Sequence, residues 1–248
     1  MVRTGYRFAA ETGSAMRLVS WLPRPLRRIG RRVLGLPRRG PTDRFMRRIT
    51  GVIHVGANSG QERDKYHQLG LDVLWIEADP HVFRRLRENI VEYPRQSAIN
   101  ALVSDVDGAE LEFFVANNEG QSSSIFEFSG HTRAWPEVTY VGQRRLVARR
   151  LDRLIEEHQV PLEKYPALVL DVQGAELRVL EGATTILPAF SWIQMPVADF
   201  DAYRGAPTLS EIASFLERQG FKEADRFQTN HFPGLGNTME LVFRRRAV

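Results

Sequence analysis

A glycine-bounded turn, with an acid at a set distance behind it, is the part of this sequence whose residue types and spacing best indicate chemistry. In IHVGANSGQE, Gly56 and Gly60 directly follow an apolar run, and Glu77 ends the next run, DVLWIE, 17 residues after Gly60. Such glycines let backbone approach a ligand, and a strand-end carboxylate can accept both hydroxyls of a ribose. The pattern predicts a nucleoside site; the alternative is a tight turn and a solvated acid.

The turn does not have the full G-x-G-x-x-G spacing that favours a pyrophosphate-bearing dinucleotide. The turn therefore suits a single nucleoside better than a dinucleotide. S-adenosylmethionine has a ribose and no phosphate, so it fits this pattern. A nucleotide-dependent oxidoreductase remains an alternative that the missing glycine disfavours.

The elements that must position this turn alternate along the chain. Apolar runs of strand texture are separated by stretches of helical periodicity at 61–70, 80–90, 150–158, 174–187 and 209–220. Pro80 marks one helix start, Thr208 with Glu211 forms a capping pair at another, and Gly220 follows the last. Strand alternating with helix predicts an α/β fold, a mostly parallel sheet with helices on both faces.

Two segments interrupt the alternation. A stretch at about 108–140 contains the strand-like AELEFFVA and a polar loop, which we interpret as a β-insertion. The end of the chain reads as two strands, 221–228 and 239–246, and a hairpin there would make the last strand antiparallel. We therefore predict a basic N-terminal arm at 1–48 and one folded domain at 49–248.

The charge of the chain is unevenly distributed. Residues 1–48 contain 13 arginines against two acids, whereas the remaining 200 residues contain 21 basic and 28 acidic side chains. The acidic body argues against a nucleic-acid partner. Residues 16–40 mix arginines with apolar side chains, which predicts peripheral contact with an anionic membrane surface or, alternatively, a loosely ordered arm broken by prolines.

Cysteine is absent, which excludes disulfides, thiolate metal sites and a cysteine nucleophile. No apolar run approaches the length of a membrane-spanning helix, and the arginine pairs lack the apolar stretch of an export signal. We expect a cytoplasmic protein, with the arm contacting the inner face of the membrane as one alternative.

Four blocks of the sequence, IHVGANSGQE, WIEADP, SSSIFEF and LVLDVQGAELRVLEGA, resemble the FkbM-type S-adenosylmethionine-dependent methyltransferases. The resemblance covers about residues 50–221. It implies a Rossmann-like class I methyltransferase fold with a seven-stranded sheet whose last strand is antiparallel. It also implies methyl transfer to a hydroxyl oxygen of a sugar, a glycan or a secondary metabolite.

The resemblance further implies a set of cofactor-binding residues. It assigns the glycine turn to the methionine end of the cofactor, Glu77 with its neighbour Ala78 to the ribose end, and the residues after the third strand to the adenine. These cofactor residues are Gly56, Asn58, Gly60, Glu77, Ala78, Ser104, Asp105 and Asp171.

Asp171 is the predicted catalytic base, because it ends the apolar run ALVLDV and should emerge where the methyl group points. Burial there would raise its pKa and strengthen it as a base. The alternative is a cap on the helix near Gly174. Glu176 is a further catalytic candidate, although the helix dipole favours an acid in a first turn anyway. His54 titrates near neutrality, but strand alternation can turn it away from the ligand.

Acceptor contacts are predicted from hydroxyl- and amide-bearing side chains near these blocks, at Gln121, Ser122, Ser123, Gln173 and Tyr203. A divalent metal is not expected, although Asp171, Glu176, Asp199 and Asp201 offer the oxygen ligands that Mg²⁺ prefers.

The chain departs from the family pattern at two positions on the acceptor side. Pro196 stands where relatives tend to have glutamate, and Asn237 where an aspartate is expected. An O-methyltransferase acting on a hydroxyl of a sugar, glycan or secondary metabolite is the main hypothesis. A catalytically weakened S-adenosylmethionine-binding protein that serves as a partner or regulator is the alternative.

Overall fold

The computed structural model describes residues 43–246, which form ten strands and seven α-helices. In chain order these are α1 Asp43–Met46, β1 Gly51–Val55, α2 Arg63–Gln68, β2 Asp72–Glu77, α3 Pro80–Ile90, β3 Gln96–Asn100, β4 Leu102–Val103, β5 Glu110–Ala116, α4 His131–Ala134, β6 Tyr140–Arg149, α5 Leu151–Glu157, β7 Ala167–Leu170, α6 Glu176–Glu181, β8 Trp192–Ala198, α7 Leu209–Arg218, β9 Phe221–Phe232 and β10 Gly236–Arg245. Short 3₁₀ turns lie at Leu162–Lys164 and Leu187–Ala189.

Seven of the strands form the main sheet in the order β3-β2-β1-β7-β8-β10-β9. The pairs from β3 through β8 are parallel, and β10 runs antiparallel to both of its neighbours. The predicted α/β fold with a reversed last strand is therefore confirmed. The strand order changes direction between β1 and β7, and the carboxyl ends of these strands are where a ligand crevice forms in such sheets.

The central strands are continuous apolar runs because helices cover both of their faces. All five residues of β1 are buried, and they alternate between the two layers. Ile53 and Val55 pack toward α5, α6 and α7, whereas Val52 packs toward α1, α2 and α3. Two hydrophobic cores thus hold the ends of β1, β2 and β7 in place.

The helix ends agree with the sequence signals. Asp79 caps α3 by accepting a hydrogen bond from the His81 N–H, and Pro80 is the first helical residue. Thr208 and Glu211 form a reciprocal capping box at the start of α7. Gly220, in the left-handed conformation, follows its end. These caps satisfy the backbone groups that a helix end leaves unpaired.

The predicted third strand, 98–104, is broken in two. Ala101 turns away from the main sheet, where its N–H donates to the Glu77 carbonyl. The two residues after it form β4, which pairs with β6, and β6 also pairs with β5 in a separate three-stranded sheet. The insertion at about 108–140 contributes β5 and α4 to this second sheet and to the loop beside it.

The predicted arm at 1–48 lies almost entirely outside the described residues, as does the membrane contact through 16–40. Its last described residues include Phe45 and Met46, which are buried in the core beneath α2 and α3. Within residues 43–246, every helix is too short or too polar to span a bilayer.

Candidate active site

The carboxyl ends of β1, β2, β7 and β8 open into a cavity of about 1120 Å³. A loop at 117–123 forms one wall, and side chains from β9 and β10 form the wall across from it. The cavity lies at the point where the strand order reverses, as expected for an open parallel sheet. Most of the residues predicted for the cofactor and acceptor line it.

Gly56 makes the closest backbone approach at the site. Its φ is +82°, and a Cβ atom added there would lie 2.0 Å from the carbonyl oxygen of Asp171. The Asp171 N–H donates to the Val55 carbonyl at 2.8 Å, so the ends of β1 and β7 are held together at this point. Only glycine fits, because any side chain would push the two strands apart.

The rest of the turn is fixed by two further residues. Asn58 also has positive φ, +45°, and its Nδ2 donates to the Glu119 carbonyl of the wall loop at 3.1 Å. Gly60, at φ +73°, leaves room for Leu86 of α3, whose Cδ1 would be 2.9 Å from an added Cβ. The turn is thus shaped by packing against α3 and against the 117–123 loop.

Glu77 lines the cavity with its carboxylate held from behind. Its Oε2 accepts from the Asn58 N–H and its Oε1 from the Asp79 N–H, both at 2.8 Å. A carboxylate has about four lone-pair positions, so two remain for a ligand. Burial raises the pKa of Glu77 to about 7 despite these two backbone donors. Ala78 lines the cavity beside it.

Ser104 and Asp105, predicted near the adenine, do not line the cavity. Ser104 is fully buried and donates to the Asp105 carboxylate at 2.8 Å, and Asp105 pairs with Arg178 of α6 at 3.0 Å. The cause is the early turn at Ala101, which carries these residues into the second sheet. The segment 101–103 takes their place at the cavity wall.

Asp171 is the last member of a short hydrogen-bonded chain. The Gln173 Nε2 donates to Asp171 Oδ1 at 2.6 Å, and the Tyr203 hydroxyl donates to Gln173 Oε1 at 2.6 Å. Asp171 is accessible from the cavity while protein surrounds its other sides. This desolvation, with Glu176 and Glu240 nearby, raises its pKa to about 8. The second carboxyl oxygen, Oδ2, remains for a ligand.

Gln173 and Tyr203 were predicted to contact the acceptor, and both line the cavity. Their polar groups are directed at Asp171, so they act first to orient its carboxylate. Gln173 adopts a positive φ of +54°, and the Ser124 hydroxyl donates to its carbonyl at 2.7 Å. A strained backbone held in this way is typical of a functional turn.

Glu176 is buried at the start of α6 and faces the same cavity. It accepts a hydrogen bond from the Gly174 N–H at 3.3 Å, and burial raises its pKa to about 7. The carboxylate therefore turns back onto the loop that carries Asp171. This contact makes Glu176 a support of that loop, with its remaining oxygen facing the cavity.

His54, the third catalytic candidate, is enclosed by aromatic rings. Its Nδ1 lies 3.1 Å from the Tyr66 hydroxyl, and its ring centroid is 5.0 Å from that of Trp75. Burial lowers the pKa of His54, which favours the neutral imidazole. Alternation along β1 directs His54 into the layer of Val52, and this packing disfavours it as the base.

The loop residues predicted to bind the acceptor are largely occupied within the loop. Ser123 accepts from the Ala116 N–H, and Ser122 accepts from Asn118 Nδ2 at 2.9 Å. Gln121 is exposed and lines the cavity. The Glu119 carbonyl of this loop accepts from Asn58, so the loop contacts the glycine turn, and Ser122 Oγ also lies 3.2 Å from His131 Nε2.

Several cavity residues carry no signal that sequence reasoning detected. His131 is buried and stacks on Phe128 with ring centroids 4.1 Å apart. Burial lowers its pKa to about 4, its Nε2 is 3.2 Å from Ser122 Oγ, and its Nδ1 has no hydrogen-bond partner among the described residues. Glu62, which directly precedes α2, and Glu240 of β10 also line the cavity. Only the tertiary fold brings them here.

Residues 54–223, more than half of the chain, match the methyltransferase FkbM domain family. The chain is a member of the FkbM methyltransferase family. This match confirms the resemblance, and it identifies the chain as an S-adenosylmethionine-dependent methyltransferase.

Among curated proteins, the chain is 28% identical over 173 residues to the 2-O-methyltransferase NoeI of Sinorhizobium fredii, covering 66% of this chain and 70% of NoeI. Similar solved structures include magnesium protoporphyrin IX methyltransferase of Synechocystis with bound SAH, at 10% identity and a TM-score of 0.48 over 94% of this chain and 82% of that one. A TehB-like methyltransferase of Corynebacterium glutamicum has 13% identity and a TM-score of 0.42 over 95% and 100%.

The cavity of this FkbM protein suits S-adenosylmethionine. The cradle at Gly56 would be filled by a Cβ, and Glu77 keeps two lone pairs on the side that faces the cavity. Three carboxyl groups that line the cavity, Glu77, Asp171 and Glu176, have raised pKa values and suit a ligand that brings hydroxyl donors and positive charge.

The acids considered for Mg²⁺ are dispersed. Asp199 accepts from the backbone and side-chain N–H groups of Asn237 at 2.6 and 2.7 Å, and Asp201 accepts from the Ser129 hydroxyl at 2.7 Å. Among the described residues, no three histidines or acids come close enough together to hold a metal ion. Asn237 suits its place, since an aspartate there would repel Asp199.

We expect Glu77→Gln to weaken binding of S-adenosylhomocysteine by about 10- to 100-fold, since a hydrogen bond to a charged group contributes roughly 1.5–3 kcal/mol. The amide also cannot accept from both the Asn58 and the Asp79 N–H groups. Calorimetric titration measures the affinity, and circular dichroism checks the fold. Glu88→Gln, on the exposed side of α3, is the control. An unchanged affinity in folded Glu77→Gln would place the ribose elsewhere.

Affinity for S-adenosylmethionine should rise with pH between about 6 and 8.5. In the ligand-free protein the pKa of Asp171 is about 8 and those of Glu77 and Glu176 are about 7, so these groups are partly protonated in that range. A sulfonium favours the ionised carboxylate, lowers its pKa and releases a proton, which strengthens binding by up to about tenfold per pH unit.

The matched ligand is S-adenosylhomocysteine, which has the same ribose and amino acid without the sulfonium charge. Its affinity should change less with pH in the same titration series. If the affinities of the two ligands changed equally with pH, none of the ionising carboxyl groups would be interacting with the sulfonium charge.

Proposed function

We propose that this protein transfers the methyl group of S-adenosylmethionine to a hydroxyl of a sugar or glycan. The observation that carries the proposal is the placement of Asp171. It ends β7 at the edge of a cavity large enough for cofactor and acceptor together, and a Gln173–Tyr203 chain orients it. The similarity to a 2-O-methyltransferase supports oxygen as the acceptor atom.

The chemistry required of the protein is modest, because the bound cofactor supplies an electrophilic methyl group. Gln173 holds Asp171 Oδ1, so Oδ2 is left to accept the proton of the acceptor hydroxyl. The raised pKa of Asp171, about 8, makes it a stronger base than an exposed aspartate at the same pH. The glycine turn and Glu77 fix the cofactor, which aligns the reacting atoms.

The alternative is a protein that binds the cofactor without catalysis, as the two departures on the acceptor side first suggested. The contacts of these residues weigh against it. Asn237 donates twice to Asp199. Pro196 lies opposite Glu240, so a carboxylate faces the acceptor side from the next strand. A cytoplasmic location and membrane contact through residues 16–40 remain predictions from composition.

The test is methyl transfer from ¹³C-methyl-labelled S-adenosylmethionine to a panel of methyl glycosides, followed by NMR of new O-methyl signals. Transfer to at least one glycoside supports the proposal. Binding of S-adenosylhomocysteine without transfer to any sugar, oligosaccharide or phenolic control would favour the non-catalytic alternative. Transfer to the phenol alone would shift the acceptor class away from sugars.

A further inference from the structure

Glu240 places a second carboxyl group in the cavity, apart from Asp171. It lies on β10 directly opposite Pro196 of β8, and it lines the same cavity. Pro196 has no polar side chain, so at the position directly between the two acids strand β8 offers neither of them a partner. The two carboxyl groups therefore flank the acceptor end of the cavity from both sides of β8.

Gln194 holds Glu240 in place and leaves an acceptor open. Its Nε2 donates to Glu240 Oε2 at 3.0 Å, and the residue is 8% exposed. Its Oε1 has no hydrogen-bond partner within the described chain. The opposite amide orientation would bring two oxygens together, so the orientation is fixed by Glu240. Gln194 does not line the cavity, so the acceptor left open to a ligand is the second carboxyl oxygen of Glu240, which does.

Glu240 lies near charges of both signs. Burial raises its pKa, Glu62 adds to that rise, and the hydrogen bond from Gln194 and the ammonium group of Lys65 oppose it. Because Gln194 binds Oε2, the other carboxyl oxygen of Glu240 can accept a hydrogen bond from a ligand hydroxyl in the cavity.

We propose that Glu240, oriented by Gln194, binds a second hydroxyl of the acceptor while Asp171 faces the hydroxyl that is methylated. Strands two positions apart in a sheet are separated by about 10 Å, and two acidic side chains that reach inward leave a gap of about one sugar ring. The acceptor is then a ring with at least two free hydroxyls. This inference rests on the proposed function and specifies its substrate class.

The experiment measures binding rather than turnover. Methyl β-glucoside, methyl β-galactoside and methyl α-mannoside are titrated by NMR into the complex of the full chain with S-adenosylhomocysteine. The series of monodeoxy analogues follows for whichever sugar binds. Glu240→Gln should weaken binding of the parent sugar by about tenfold or more. For one monodeoxy analogue, the affinities of Glu240→Gln and of the wild type should be equal, because that analogue lacks the hydroxyl that Glu240 binds.

Gln194→Met is the second variant. It should also weaken binding of the parent sugar, and it should leave the affinity for S-adenosylhomocysteine unchanged. Glu217→Gln, an exposed residue of α7 paired with Arg246, is the matched control and should leave sugar binding unchanged. Equal losses for the parent and every deoxy analogue would overturn the proposal, as would a complex that binds none of the sugars.

The failures of the two proposals are distinguishable. Sugar binding that depends on Glu240, in a protein that transfers no methyl group, would contradict the proposed function and support the second-hydroxyl site. Methyl transfer to a sugar that Glu240→Gln binds as tightly as the wild type does would support the proposed function and contradict the second-hydroxyl site.

Discussion

Gly56→Ala is expected to abolish measurable cofactor binding and to destabilise the fold. The added Cβ would lie 2.0 Å from the Asp171 carbonyl, at a φ of +82°. The left-handed backbone costs an L-residue roughly 1–2 kcal/mol, and overpacking adds about 1–3 kcal/mol. Moving β7 away also breaks the Asp171–Val55 hydrogen bond and displaces the Asp171 carboxylate. Affinity for S-adenosylhomocysteine should fall by more than about 100-fold.

Gly108→Ala is the matched control, because Gly108 has the same sign of φ, +80°, and nothing lies within 4 Å of its added Cβ. It incurs the backbone strain alone, about 1–2 kcal/mol, and should keep full ligand affinity. Calorimetric titration and chemical denaturation of both variants distinguish the effect of backbone strain from that of the steric clash with the Asp171 carbonyl. If Gly56→Ala bound the ligand within twofold of Gly108→Ala, the close contact with β7 would have no part in forming the site.

Asp171→Asn should reduce kcat by about 10²- to 10⁴-fold, the usual contribution of a general base. The amide oxygen can still accept from Gln173 Nε2, so the chain that begins at Tyr203 keeps its geometry. Affinity for S-adenosylhomocysteine should therefore remain within a few-fold of wild type. Steady-state kinetics on the acceptor identified by the glycoside panel, with calorimetry alongside, measures both quantities.

Asp225→Asn, on the exposed strand β9, controls for a change of net charge and should leave kcat unaltered. If Asp171→Asn retained wild-type kcat, proton removal would not depend on this residue. Solvent would then have to take the proton directly.

The parts of the fold that could be predicted are those set by local sequence. The runs GVIHV and DVLWIE are mostly apolar because parallel central strands are buried on both faces. Caps at Pro80 and Thr208 are local hydrogen-bonding patterns, and the conformation at Gly56 follows from a strand that must turn immediately. For the same reason the position of Glu77, at the end of a buried strand and at the cavity, could be predicted from spacing.

The parts that could not be predicted depend on contacts distant in sequence. Strand β6 carries several arginines and is exposed along much of its length, so only its pairing with β5 defines it. Ser104 and Asp105 lie away from the cavity because the strand is interrupted at Ala101, where the N–H donates to the Glu77 carbonyl, and no local signal marks that break. The Pro196–Glu240 relation is a cross-strand register, which one sequence does not reveal.

The three desolvated carboxyl groups of the cavity have a consequence for the lifetime of the protein. Unfolded, they titrate near pH 4, so between about pH 4 and 8 the folded chain binds more protons than the unfolded one and its stability falls as pH rises. A ligand at 100 times its Kd contributes about 2.7 kcal/mol to the folded state. The ligand-free form should therefore be the less stable of the two and the more susceptible to proteolysis.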